Sequence, residues 1–112
     1  MATQFTTSDH LAAQRATAAL PQAARAVAGR TKAAVALLDN LEAACTPGEA
    51  LAALARSRRA RAGIEHAEGA MLLLLVCSGA SHRSLAAALG IGRSTVDRLI
   101  AQARADQEAR NG

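Results

Sequence analysis

The sequence predicts an all-α protein: an N-terminal helical, coiled-coil-like dimerisation region followed by a C-terminal bundle of three helices. Three observations carry this. Of 112 residues, 31 are alanine, the strongest helix former. Only seven are Val or Ile and one, Phe5, is aromatic, whereas sheets are built from β-branched and aromatic side chains. The apolar residues also recur at three- and four-residue spacing instead of alternating. Alanine buries little area, so a monomer of this length has a thin core that self-association would strengthen.

Residues 1–7 read as a polar tail. A first helix is expected from Thr7 or Ser8 to about Leu20, where Pro21 breaks it, kinks it or opens the next. From Pro21 to Cys45 the residues Ala24, Val27, Thr31, Ala34, Leu38, Leu41 and Cys45 follow at alternating spacings of three and four. That is a heptad seam, widened by Val35 and Leu37, and half of it is small. It suits a helix inside a bundle and a dimeric coil equally, and Val27, Ala34, Leu38 and Leu41 are the candidate dimer contacts.

Thr46-Pro47-Gly48-Glu49 is a capping box with Pro at the first helical position. The helix it opens runs through Leu51 and Leu54 into Arg56-Ser57-Arg58-Arg59-Ala60-Arg61. Gly63 costs only about 1 kcal/mol against Ala, so the pattern allows one helix over 47–78 or a break near 61–63. Residues 64–78 are strongly apolar, and Gly79 is a natural C-terminal cap. Residues 1–60 are thus expected to form a dimerisation or interaction region, 61–108 a second unit, and 109–112 a tail.

The net charge is +4, and residues 47–112 carry nine basic and six acidic side chains. All basic residues but Lys32 are arginine, the side chain best shaped for phosphates and guanine edges. The cluster at 56–61 reads either as a phosphate contact or as a solvated helix face. Nearly absent aromatics argue against recognition of RNA by stacked bases. Cys45 and Cys77 are too distant for a sequence-readable metal site and read as buried thiols, and the histidines lack ligand spacing. No metal or cofactor is expected. No paired-carboxylate, Ser-His-Asp, Cys-His or phosphate-loop arrangement suggests an enzyme. The run Met71–Cys77 falls short of the roughly 20 apolar residues of a membrane span. With a polar beginning and no signal peptide in view, the expectation is a cytoplasmic, nucleoid-associated protein without a membrane partner.

The most specific stretch is 81–100. Ser81 caps a short helix over about 82–89, with Leu85 and Leu89 on one face. Ala86 allows a second helix to cross closely, and Gly90 supplies a positive φ for a sharp turn. Ile91 is placed to plug the angle, and a helix after Gly92 buries Val96, Leu99 and Ile100. With helix 64–78 as third wall, this is a trihelical helix-turn-helix.

Through Leu85-Ala86, Leu89-Gly90-Ile91, Arg93-Ser94-Thr95-Val96 and Arg98-Leu99, the segment resembles the helix-turn-helix of resolvase/invertase recombinases and of related homeodomain-like regulators. The resemblance covers about 62–105 and none of residues 1–60. It implies a recognition helix over about 93–105 lying in the major groove of double-stranded DNA. On that basis Arg93, Ser94, Asp97 and Arg98 are expected to read base edges, with Ser81, His82, Arg83, Ser84 and Thr95 on the backbone. Gly92 stands where a Ser or Thr cap is usual. Asp97 replaces a usually neutral residue and is expected to accept from cytosine or to orient Arg93 or Arg98. The expected function is a sequence-specific, homodimeric transcriptional regulator. The alternative is an adaptor or antitoxin-like bundle that uses the helix-turn-helix only as a fold element.

Overall fold

The computed structural model describes residues 3–111 and contains four α-helices, with no strand among the described residues. They are α1 (His10–Asp39), α2 (Pro47–Cys77), α3 (His82–Leu89) and α4 (Arg93–Asn111). The all-α class is therefore observed. Helices α1 and α2 form a long antiparallel hairpin, α4 packs against the far end of α2, and α3 packs against α4. The molecule is elongated, 58 × 36 × 23 Å.

The first helix departs from expectation at both ends and in the middle. Asp9, not Thr7 or Ser8, is its cap: Oδ1 accepts from the Ala12 amide at 3.0 Å. Pro21 neither ends the helix nor opens a new one. The helix continues despite the missing donor, and Ala16 before it and Ala34 after it are both buried. The helix stops at Asp39, short of Cys45, because Asp39-Asn40 disfavour a helix interior. Leu41 and Cys45 therefore lie in a run of turns, and the seam is cut short.

The capping box at Thr46 forms as expected: Thr46 Oγ1 accepts from the Glu49 amide at 3.1 Å, and Glu49 Oε1 takes the Thr46 amide at 3.3 Å. From there α2 is one helix. It passes through Gly63, where the guanidinium of Arg30 lies 2.8 Å from where a Cβ would stand. It also crosses the expected boundary at 60–61 without interruption. Its end is a Schellman cap: Gly79, at φ +114°, donates to the Val76 carbonyl and Ala80 to that of Leu75.

The segment before α1 is tied to the body at Thr6. The Thr6 amide donates to the Gly79 carbonyl at 3.2 Å, and a Cβ on Gly79 would stand 2.6 Å from the Thr6 nitrogen. Thr17 and Ser78 hydroxyls, 3.2 Å apart, tie α1 to the end of α2.

The principal apolar cluster lies at this end. Leu72 and Leu73 of α2 meet Leu85 and Ala86 of α3 and Val96, Leu99, Ile100 and Ala103 of α4. The hairpin is thinner, with Ala16, Ala34 and Ala53 as its buried contacts. The two thiols are not both buried as expected: Cys45 is half-buried and Cys77, on the last turn of α2, is exposed. No helix among the described residues is long and apolar enough to cross a membrane.

Candidate nucleic-acid interface

The candidate surface is built on α3, the turn after it and the first turns of α4. Ser81 caps α3, its Oγ accepting from the Ser84 amide at 3.1 Å. Gly90 ends it in the left-handed region at φ +69°, and the Ile91 amide donates back to the Ala86 carbonyl at 3.2 Å. Nothing crowds the place of a Cβ on Gly90, so the backbone angle alone calls for glycine there. Gly92 then offers only its carbonyl to α4, accepting from Thr95 and Val96.

The two ends of the turn pack differently from expectation. Leu85 is buried but Leu89 is 54% exposed, and Ile91, 38% exposed, stands outside the buried cluster. Leu72, Leu73 and Ala80 close the core instead. The closest helix crossing also falls elsewhere. A Cβ on Gly69 would stand 2.7 Å from the Leu99 carbonyl oxygen, so α4 lies directly against the α2 backbone. Ala86 is buried as expected, yet Gly69 is the position that sets the approach of α4. Its one sequence sign is a glycine inside an otherwise strongly helical apolar run.

Along α4, Val96, Leu99, Ile100 and Ala103 face the core. Arg93, Ser94, Asp97 and Arg98 are all exposed, and Thr95 is half-buried. On α3, Arg83 is exposed, while His82 and Ser84 are half-buried. The structure thus brings Ser81–Ser84 and the first turns of α4 onto neighbouring parts of one end of the molecule.

Two of these residues have partners that the sequence did not disclose. Asp97 Oδ1 lies 2.6 Å from His82 Nδ1, which pins α3 to α4. Asp97 therefore orients neither Arg93 nor Arg98. Arg98 Nη1 donates to Glu65 Oε2 of α2 at 3.4 Å, with both side chains largely exposed. An exposed pair of this length is worth well under about 1 kcal/mol, so the arginine is steered more than held. Further along, Asp106 Oδ2 is shut off from solvent 3.0 Å from His66 Nδ1, close but not aligned as a hydrogen bond.

The expected dimer contacts are divided. Ala34 is buried inside the hairpin and Val27 and Leu41 are half-buried, while Leu38 is 40% exposed. Arg56, Arg58, Arg59 and Arg61 are all exposed on α2. No group of three or more His, Cys, Asp or Glu among the described residues is placed to hold a metal ion. No known protein family matches the chain, and no curated protein or solved structure resembles it significantly.

Proposed function

We propose that the chain is a sequence-specific double-stranded DNA-binding protein, a dimeric transcriptional regulator that places the N-terminal half of α4 in the major groove. One observation carries this reading. A short capped helix turns through a left-handed glycine into a helix whose exposed first turns present Arg93, Ser94 and Arg98. In a trihelical helix-turn-helix of this kind, α2 supplies the third wall. The amides and dipole at the start of α3, with Ser81, Arg83 and Ser84, suit a backbone phosphate. Arg93 and Arg98 suit guanine O6 and N7. His82 is turned toward Asp97 and serves by fixing the angle between the two helices.

The test is selection of bound fragments from random duplexes, followed by titration at several salt concentrations. The expected outcome is a recurring motif and affinity that falls steeply as salt rises. Arg98→Ala is expected to cost about 1–3 kcal/mol in binding and to relax preference at one base pair. Its thermal midpoint should stay near wild type, because the Glu65 contact is exposed. Absence of any duplex affinity at low salt would leave the protein-docking reading. That reading draws on a different observation: Asp97 is engaged with His82, and Arg98 is in contact with Glu65.

A further inference from the structure

One row of positions on α2, stepping by three and four residues, carries α4. Ala62 and Glu65 line a cleft with Arg98 and Gln102 of α4. Gly69 lies against the Leu99 carbonyl, and Leu72 joins the buried cluster that α4 shares. The next position of this row toward the start of α2 is Arg58, one turn before Ala62 and two turns before Glu65. Arg58 is exposed.

The neighbouring arginines are placed differently. Arg56 shares its edge of α2 with Gly63, beneath Arg30 of α1, and lines a cleft with Leu37. Arg59 stands two turns before His66, which meets Asp106 in the C-terminal half of α4. Arg61 has the carboxylate of Glu65 one turn away. Arg58 has no acidic residue one turn away in either direction, and none of the ion pairs among the described residues includes it. An exposed arginine without a carboxylate in reach keeps its planar fork for an outside anion, and a phosphate fits that fork.

The spacing agrees with a duplex. At 1.5 Å per residue, Arg58 stands about 10 Å along α2 from Glu65, where Arg98 makes its contact. A major groove about 12 Å wide and about 8.5 Å deep puts the phosphate on its lip about 10 Å from a base edge at the middle of its floor.

Resting on the duplex reading above, we infer that Arg58 binds the backbone phosphate on the groove wall beside the base pair met by Arg98. The arginine stem of α2 then belongs to the same duplex footprint as α4. Arg58 fixes register and orientation and carries no sequence preference of its own. Arg56 and Arg59 stay outside the footprint as solvated charges.

The experiment uses the full chain and two probes, the duplex recovered by selection and a mixed-sequence duplex of equal length. Arg58→Ala is expected to weaken binding to both by a similar factor. It should also lower the log–log salt slope by about 0.9, the share of one phosphate. A roughly fourfold rise in salt should then cost the variant about 3.5-fold less affinity than it costs wild type. Arg58→Lys, Arg56→Ala and Arg59→Ala are expected to keep the wild-type slope. Ethylation of single phosphates on the selected duplex locates the contact. One phosphate beside the base pair that Arg98→Ala relaxes should matter for wild type and not for Arg58→Ala. A wild-type slope in Arg58→Ala, or equal losses at Arg56, Arg58 and Arg59, overturns the inference and leaves the DNA reading standing, because wild type still binds. A wild type that binds neither duplex overturns the DNA reading and this contact with it.

Discussion

Gly69 shows how one missing methyl positions the candidate site. The hydrogen that stands for its side chain faces the Leu99 carbonyl, and a Cβ there would come within 2.7 Å of that oxygen. Two effects oppose each other in Gly69→Ala. Alanine gains about 1 kcal/mol of helix propensity. The added carbon meets main chain of α4, which cannot rotate aside as a side-chain tip could, and such overpacking costs about 1–3 kcal/mol. The clash should win. Urea denaturation is expected to show a net loss, and α4 should shift relative to α2. A more stable Gly69→Ala would show that α4 has slack against α2 and that another contact fixes its place. The contrast with Gly63 is instructive, because there the close neighbour is the flexible end of Arg30.

At the scale of the element, α3 and α4 were readable because their signals are local. Ser81, Gly90 and Gly92 act within a few residues of themselves, and the observed His82–Leu89 helix has the boundaries that those residues dictate. The capping box at Thr46 is legible for the same reason. Helix α1 is less legible because its course is not set by local signals alone. Pro21 carries a strong stop signal, yet the helix runs on through it, with Ala16 before it and Ala34 after it buried. The pairs His82–Asp97 and Arg98–Glu65 were hidden likewise, since they join residues 15 and 33 positions apart. Pro21 still leaves a testable trace. It lacks the amide that the Thr17 carbonyl would receive, and it sits on an exposed face. Pro21→Ala should restore that bond and stabilise the protein by up to about 3 kcal/mol, raising the midpoint of thermal unfolding. An unchanged midpoint would mean that contacts with α2 alone set the stability of α1.

For the whole molecule the decisive feature is that α2 belongs to both halves. Its first half packs on α1 through small residues, and its second half supplies Leu72 and Leu73 to the cluster shared with α3 and α4. A boundary at 60–61, natural from the change in composition, falls in the middle of a 31-residue helix. The docked residues before α1 add a second tie, from Thr6 to Gly79 at the join of α2 and α3. Helix formation is cooperative, and a helix stripped of its packing partners is marginal in water. Loss of α3 and α4 would thus fray α2 toward the hairpin, and loss of α1 would expose the alanine stripe and fray it from the other end. The chain is accordingly expected to unfold in one transition at fixed concentration, with calorimetric and van't Hoff enthalpies equal. Amide exchange should reach its greatest protection along the central turns of α2, not in two separate peaks. Two resolved transitions, or residues 82–105 staying protected after α1 has exchanged, would show that the halves fold independently.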